Sequence, residues 1–335
     1  MNFLLEQKER IQHSTIRVVF PEGNDKRIIR AASQVLSQGV AMPTLLGDEE
    51  EIRIIAIQEK IDLNGIAIVN IATSTKMSDY IDAYSVTHNN FPKAAARVIL
   101  SKKVSFGAMM VYTGDADAMV AGVATATEEV IMASNLIIGT DKGITTPSSF
   151  MIMDIPGYHG EEGNVLMFAD PGVNPDPTPE QLADIAIASA RSAKNLFDWE
   201  PRVALLSFST HGSASHPRVN KVIETLKIIQ QREPSLLVDG ELQVDAAIVP
   251  EIAERKIKRA SSVAGKANIL VFPDLDAGNI AFKLVQRLVS AGAYGPFLQG
   301  FAKPVSDLSR GSTVEDILGV TTMAVIEVQA RRQSK

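Results

Sequence analysis

The run Asn268-Ile269-Leu270-Val271-Phe272 is continuous and apolar, and a polar turn beginning at Pro273 follows it. A strand of a parallel sheet reads in this way when helices cover both of its faces, because neither face meets water. The residues from Gly278 to Val289 then have helical spacing. A buried strand that leads through a polar turn into a helix is the repeating unit of an α/β fold with a largely parallel sheet.

The first half of the chain shows the same alternation of strand-like and helix-like segments. A β-branched and apolar composition predicts the strands, and amphipathic spacing predicts the helices. The predicted strands are 17–20, 43–47, 66–71 and 117–122, and the predicted helices are 27–36, 50–61 and one that Thr127 caps.

The rhythm restarts after about Ile144 and predicts a second α/β domain. Residues 150–155 and 164–168 can pair as antiparallel strands across the loop 157–163. Thr178-Pro179 opens a long helix to about Phe197, with the cap and the proline in the expected order. Strand 203–207 and helix 219–231 follow. With no linker in view, we expect one domain of residues 1–143 plus 299–335, to which the C-terminal helix returns, and another of residues 144–298.

Composition and charge exclude several classes of protein. The 335 residues are 45% apolar and 21% charged, which suits a globular chain with a core. A net charge of −6 argues against a general nucleic-acid binder, which needs a basic face. The absence of cysteine excludes disulfides, thiolate metal ligands and a cysteine nucleophile. The N-terminus does not read as a signal peptide, and no uncharged apolar run reaches the ~18 residues that span a bilayer. We expect a soluble, cytoplasmic protein.

The segment 303–316, KPVSDLSRGSTVED, carries the strongest functional pattern. Ser312 and Glu315 fit the S-x-x-E capping box, which predicts that a helix begins there. Ser309 and Arg310 then lie just before a helix N-terminus, where free N–H groups and the helix dipole favour an anion. An arginine fork at such a place suits phosphate or carboxylate, although an ordinary polar turn has the same composition.

Three other polar loops follow predicted strands, where ligands of open α/β sheets bind. The loop 207–215 has five hydroxyls and a glycine that can hydrogen-bond phosphate or a carbonyl, or form a flexible polar loop. The second loop is 273–279. The third, 114–122, has a D-x-D pair that is too weak a signal for a metal site and more typical of a solvated turn. Neither common nucleotide-binding fingerprint is present, and neither are the serine-hydrolase elbow and the H-E-x-x-H zinc motif.

A set of ordered motifs resembles phosphate acetyltransferase, in a wider family that includes phosphate butyryltransferases. The resemblance covers nearly the whole chain, and it is dense from about Asp170 to the end and looser before Gly114. The motifs are DGELQVDAA at 239–247, GKAN at 265–268, FPDL at 272–275, Gly278-Asn279, Gly295-Pro296, Gln299-Gly300, Lys303-Pro304 and DLSRG at 307–311.

The resemblance implies two α/β lobes of the isocitrate/isopropylmalate dehydrogenase type, with the active site in the cleft between them, and a homodimer. It implies reversible acetyl transfer between CoA and phosphate by direct thiol attack in a ternary complex, without a metal or a resident cofactor. The family's serine, arginine and aspartate fall on Ser309, Arg310 and Asp316. The candidate substrate-binding residues are Ser207, Ser209, Thr210, Gly212, Ser213, Asn279, Tyr294, Gly295, Thr125 and Thr127.

The family roles of the three catalytic candidates leave one question open. The serine is proposed to help deprotonate the CoA thiol, with the aspartate orienting it, while the arginine holds phosphoryl or oxyanion charge. A neutral serine is a poor base unless its proton moves on to a carboxylate. Ser309 can instead donate a hydrogen bond to the carbonyl oxygen.

The first half departs from the family at two arginines. One family arginine aligns with Met132, and a second aligns around Ala83-Tyr84-Ser85, so neither position offers a cation. Phosphate binding then rests mainly on Arg310, helix N-termini and the loop 207–215. The departures leave two alternatives to acetyl transfer, a phosphate butyryltransferase and a non-catalytic acyl-CoA sensor.

Overall fold

The computed structural model describes Ile11 and residues 14–333. The chain forms two units, Met1–Asp141 with Phe301–Lys335, and Lys142–Gly300. The predicted division, 1–143 plus 299–335 and 144–298, has its boundaries two residues away at each junction.

The first unit is built on a sheet of five parallel strands. Their spatial order is β11-β4-β1-β2-β3, so the chain enters the middle of the sheet and its last strand lies at one edge. The four strands predicted in this unit are confirmed; the third is shorter than expected, because Asn70 caps a 3-10 turn directly after it. The strands are β1 Arg17–Phe20, β2 Met42–Leu46, β3 Ala67–Val69, β4 Ala118–Ala121 and β11 Val305–Asp307.

Helices connect and cover these strands. In the first helix, the Asp25 side chain accepts the Arg27 N–H as N-cap, and the apolar side chains Ile28, Ile29 and Val35 are buried. The C-terminal helix packs against this first helix. The helices of the unit are Lys26–Ser37, Glu49–Glu59, Met77–Thr87, Lys93–Leu100, Lys103–Thr113, Thr127–Ile137 and Val314–Gln333.

The C-terminal helix is capped one residue later than the sequence predicted. The expected box of Ser312 and Glu315 is wrong, because Thr313 and Asp316 form the reciprocal pair. The Thr313 N–H and hydroxyl each donate to Asp316 Oδ2 at 2.8 Å, and the Asp316 N–H donates to Thr313 Oγ1 at 3.2 Å. The Ser312 residue belongs instead to the preceding turn, where its N–H donates to the Ser309 carbonyl at 2.9 Å.

The predicted cap at Thr127 is also wrong. Ala126 holds the N-cap position of helix Thr127–Ile137, and no side chain caps that end. Thr127 is the first helical residue, and its hydroxyl is committed elsewhere, to the carboxylate of Asp307.

The second unit contains a six-stranded mixed sheet. Strands β6, β9, β7 and β8 run parallel, while β5 pairs antiparallel with β6 and β10 pairs antiparallel with β5. The predicted antiparallel pair across the loop 157–163 and the buried strand within 268–272 are therefore confirmed. The strands are β5 Ser148–Asp154, β6 Val165–Ala169, β7 Arg202–Leu206, β8 Leu237–Leu242, β9 Ile269–Val271 and β10 Gly292–Gln299.

Two helices of the second unit follow their predicted positions, and a third, predicted at 278–289, begins three residues earlier. The two short helices after β8 were not predicted. The longest, Pro179–Phe197, begins with a complete capping box between Thr178 and Gln181. The other helices are Pro217–Arg232, Val244–Ile248, Pro250–Lys256 and Leu275–Leu288. Across the described parts of both units, no helix combines the length and the apolar character that a membrane crossing requires.

Candidate active site

The catalytic candidates lie at the carboxyl edge of the sheet in the first unit. Strand β4 has β1 on one side and β11 on the other, and Asp307 at the end of β11 lies beside Ala121 at the end of β4. Because all five strands are parallel, the segments that follow β1, β4 and β11 emerge together at this edge. This is the position at which open α/β sheets bind ligands.

Ser309 and Arg310 are exposed on the turn between β11 and the C-terminal helix. The Ser309 Oγ accepts the Gly311 N–H at 3.2 Å, which leaves the hydroxyl proton available to donate. Within the described part of the chain, the Arg310 guanidinium makes no hydrogen bond and no ion pair, whereas its carbonyl is bonded. The turn therefore presents a hydroxyl donor next to an unpaired cation.

Asp316 lies one helical turn further on and is exposed. Its carboxylate accepts the Thr313 N–H and hydroxyl, and among the described residues these are its hydrogen-bond donors. The structure thus gives Asp316 the role of a helix cap, and the expected orientation of Ser309 by Asp316 is not among its contacts.

Glu22, which follows β1, organises the loop after β4. Its buried carboxylate accepts four consecutive backbone N–H groups, those of Gly122 and Val123 on Oε2 at 2.8 and 3.0 Å and those of Ala124 and Thr125 on Oε1 at 2.8 and 2.7 Å. Successive N–H groups that converge in this way form an anion-binding nest. The N–H of Thr125, a predicted substrate-binding residue, is therefore committed to Glu22.

Gly122 is required where β4 meets β11. Its φ is +116°, and a Cβ at this position would lie 2.4 Å from both Asp307 Oδ1 and the Leu308 carbonyl oxygen. Any side chain would therefore separate the loop after β4 from the turn that carries Ser309.

Asp307 is buried two residues before Ser309, with 3% of its surface exposed. Its Oδ2 accepts the Thr127 hydroxyl at 2.5 Å, whereas its Oδ1 is buried without a hydrogen-bond partner among the described residues. Burial, with a contribution from the charge of Glu22, raises the pKa of Asp307 to about 6. The Thr127 hydroxyl, a predicted substrate contact, is thus part of this buried pair.

Arg27 connects three segments at this edge. Its guanidinium forms a bidentate pair with Asp25, at 3.0 Å from Nε to Oδ1 and 2.8 Å from Nη2 to Oδ2. Its Nη1 donates to the carbonyls of Arg310 at 2.7 Å and Ser312 at 3.1 Å, and its Nη2 donates to the carbonyl of Val123 at 3.1 Å. Burial alone would raise the pKa of Asp25, but the hydrogen bonds from Arg27 outweigh it and lower that pKa.

The sequence reasoning missed Glu22, Arg27 and Asp307. Glu22 and Arg27 stand in the polar stretch 21–27, PEGNDKR, which directly follows the predicted strand 17–20. Asp307 is the first residue of DLSRG and the last residue of β11, a strand that was not predicted. An acid close behind a buried parallel strand is the signal that points to Glu22, because the carboxyl ends of such strands share one edge.

The loop 207–215 of the second unit is held by its own hydrogen bonds. The buried Glu241 accepts the Ser209 hydroxyl at 2.8 Å and the Gly212 N–H at 2.7 Å. The Thr210 N–H donates to Ser213 Oγ at 2.9 Å, and the Thr210 hydroxyl donates to Gln243 at 3.1 Å. These bonds give the loop a defined internal structure and commit the Ser209 hydroxyl and the Gly212 N–H to Glu241.

The other predicted substrate contacts of the second unit differ in their accessibility. Ser207 is half-buried, and its Oγ accepts the Ser209 N–H at 3.2 Å. The Asn279 amide donates to the Pro171 carbonyl at 3.0 Å. Tyr294 and Gly295 lie half-buried in strand β10, at the edge of the mixed sheet.

The two positions predicted to align with a family arginine have different environments. Met132 is 59% exposed on helix Thr127–Ile137, so it is not a core residue. Tyr84 is buried with 1% exposure, and its ring stacks on His88 with 4.0 Å between centroids. A longer charged side chain fits without loss of packing at Met132 but not at Tyr84.

Comparison with known proteins assigns the chain to one family. A family model described as phosphate acetyl/butaryl transferase matches residues 2–325. The chain is 43% identical over 331 residues to a phosphate acetyltransferase of Acetivibrio thermocellus, which covers 98% of this chain and 99% of that protein.

Solved structures of other proteins have the same fold. A phosphotransacetylase from Streptococcus pyogenes matches with a TM-score of 0.91 and 39% identity, over 99% of this chain and 100% of that one. A 4-hydroxythreonine-4-phosphate dehydrogenase from Klebsiella pneumoniae, with a TM-score of 0.54 and 10% identity over 96% of this chain and 99% of that one, shares the fold alone. The predicted α/β fold class is confirmed.

Proposed function

The chain belongs to the phosphate acetyl/butaryl transferase family, and we propose that it transfers an acetyl group reversibly between CoA and inorganic phosphate by direct thiol attack in a ternary complex. It is an acyltransferase. One observation carries the proposal for the site: an exposed Ser309 hydroxyl stands next in sequence to Arg310. The Arg310 guanidinium has no partner in the described part of the chain.

The chemistry needs one bond to form and one to break. Towards acetyl-CoA, the CoA sulfur attacks the carbonyl carbon of acetyl phosphate, the C–S bond forms, the C–O bond breaks and phosphate leaves with the thiol proton. In the reverse direction, a phosphate oxygen attacks the thioester and the thiolate leaves. A thiol with a pKa of about 8.5 needs only modest help to ionise near neutral pH.

Arg310 is the residue we assign to the phosphoryl group. A planar guanidinium binds phosphate in a bidentate manner, and an arginine without an internal partner gives up no existing bond in doing so. The same cation can offset the negative charge that develops on the carbonyl oxygen.

We assign Ser309 the role of hydrogen-bond donor to that carbonyl oxygen. Its Oγ accepts the Gly311 N–H, so the hydroxyl proton is available to donate. The alternative role, a base that passes its proton to Asp316, has less support, because the Asp316 carboxylate bonds to Thr313. Asp316 then contributes by fixing the start of the helix that follows the turn.

The proposal includes no metal ion and no resident cofactor, since CoA enters as a substrate. We propose a cytoplasmic homodimer that binds neither nucleic acid nor membrane, on the strength of the family resemblance and the acidic net charge of −6. Light scattering of the protein as it elutes from a size-exclusion column measures the mass of the assembly. A mass near that of the single 36.1 kDa chain would contradict the homodimer.

Thiol release from acyl-CoA tests the function. The purified protein should release CoA from acetyl-CoA only when phosphate is present, in buffer containing EDTA, and Ser309→Ala should lower kcat. A higher kcat/KM for butyryl-CoA would favour a phosphate butyryltransferase. Binding of acetyl-CoA without turnover of any acyl chain would favour the acyl-CoA sensor and would contradict the proposal.

A further inference from the structure

The turn that carries Ser309 and Arg310 has few bonds of its own. Within it, the Gly311 N–H reaches Ser309 Oγ at 3.2 Å and the Ser312 N–H reaches the Ser309 carbonyl at 2.9 Å, and both bonds are local. The bonds to the carbonyls of Arg310 and Ser312 come from Arg27, which stands 283 and 285 residues away in sequence. Arg27 therefore connects this turn to helix Lys26–Ser37, the first helix in the described part of the first unit.

The same guanidinium also holds the loop after β4. Its Nη2 donates to the Val123 carbonyl at 3.1 Å, while the N–H groups of that loop are bound by Glu22. Asp25 holds the guanidinium in place, because the Asp25 carboxylate bonds to two nitrogens of the guanidinium. The same carboxylate accepts the backbone N–H of Arg27 as the helix N-cap. The Arg27 guanidinium is thus bonded to Asp25 and to carbonyls of both the loop after β4 and the turn that carries Ser309.

We propose that Arg27 is a positioning residue that sets the geometry of the Ser309–Arg310 turn and does not bind substrate itself. The inference rests on the proposed function, since it assigns Arg27 a part in that reaction. Its charge is matched by the Asp25 carboxylate, and its nitrogens are committed to carbonyls and to that carboxylate. Arg310 is then the arginine of this edge that is available to a phosphoryl group.

A guanidinium is needed because of its shape. Arg27 makes five side-chain hydrogen bonds to four residues through a planar fork. A lysine ammonium has three donors on a flexible stem and cannot reach the same acceptors in one plane. Arg27→Lys should therefore loosen the turn although the charge is kept.

The experiment compares Arg27→Lys and Arg27→Ala with Arg30→Lys. Arg30 lies on the same helix and pairs with Glu59 at 2.8 Å, away from the turn, so its variant controls for charge-preserving change on this helix. We expect Arg27→Lys to lower kcat about tenfold and Arg27→Ala about a hundredfold, as for a misplaced catalytic group, with the KM for phosphate within about twofold of wild type. Guanidinium at millimolar concentration should restore part of the Arg27→Ala rate.

A second readout does not depend on turnover. Amide hydrogen exchange of residues 309–312 should be faster in Arg27→Lys than in wild type and in Arg30→Lys, when all three proteins are compared well below their melting temperatures. Unchanged exchange and unchanged kcat in Arg27→Lys would overturn the proposal, and so would a KM for phosphate that rises while kcat holds, since Arg27 would then be a substrate ligand. A further outcome is that the wild-type protein transfers no acyl group while amide hydrogen exchange of residues 309–312 is still faster in Arg27→Lys. In that case the proposed function is contradicted, and the structural role of Arg27 in holding the turn is supported.

Discussion

The hydroxyl of Thr127, the first residue of its helix, donates a 2.5 Å hydrogen bond to Oδ2 of Asp307, the last residue of β11. This bond connects a helix that begins after β4 to the strand that leads into the Ser309 turn. The other carboxyl oxygen of Asp307 is buried without a partner among the described residues, so the ionised form of this side chain is poorly solvated.

Asp307→Asn should stabilise the protein at neutral pH. Burial raises the pKa of Asp307 to about 6, so its stabilising contribution is complete below the ordinary value of 3.8 and is lost as pH rises through about 6. Asparagine resembles the protonated acid at every pH and can still accept the Thr127 bond. We expect a gain of up to about 2–3 kcal/mol at pH 8 and almost none at pH 4.

Thermal unfolding between pH 4 and pH 8 measures this difference. The exposed acid Asp79 supplies the control, because Asp79→Asn removes the same charge from the surface of the first unit. A stability difference between Asp307→Asn and wild type that stays constant with pH would show that Asp307 does not titrate in this range.

Glu22→Gln should destabilise the first unit. The carboxylate accepts four N–H groups, whereas a carboxamide has one acceptor oxygen and turns its NH₂ towards the remaining donors. The loss of two charged hydrogen bonds suggests about 3 kcal/mol or more. Denaturant unfolding measures it, with Glu59→Gln as a partly exposed control; equal midpoints for the two variants would contradict the nest.

Arg310→Lys should slow the reaction although it keeps the charge. The bidentate fork is lost, and we expect kcat/KM to fall at least about tenfold, which corresponds to about 1.4 kcal/mol. Steady-state kinetics with phosphate as the varied substrate measures the loss. Arg53→Lys, on the surface beside Glu49, is the control. Near-normal kinetics in Arg310→Lys would mean that phosphate is held by another residue.

Met132→Arg tests the predicted alignment of a family arginine with this position. Since Met132 is 59% exposed, the variant should fold with an unchanged melting temperature. If the position borders the bound substrate, the added cation should lower the KM for phosphate or CoA, because a partly desolvated dianion gains more from it than a surface pair does. Ile57→Arg, at a residue 77% exposed on another helix, controls for net charge, and an equal effect in both variants would show that Met132 is remote.

The sequence was sufficient for the elements that carry a strong local pattern. The apolar run around Leu270 and the Thr178-Pro179 cap specify a buried strand and a helix start within a few residues, and both were predicted correctly. Helix starts with two candidate caps were less certain: Thr313 and Asp316 form the box in place of Ser312 and Glu315, since the turn before the helix uses the Ser312 N–H.

The candidate site divides in the same way. Ser309 and Arg310 were found from one contiguous motif. The residues that hold that motif were not found, because Arg27 and Glu22 act across 96 to 285 residues of sequence and stand outside the motif. Only the order of the strands in the sheet brings these segments together.

The nest after β4 also bears on selectivity. Converging N–H groups attract phosphate in many proteins, but here the chain supplies a resident carboxylate, and the site is filled before any substrate arrives. The N–H groups of the nest are therefore not available to a second anion. Of the two features of this edge that suit an anion, the Arg310 guanidinium is the one that we expect a substrate dianion to contact.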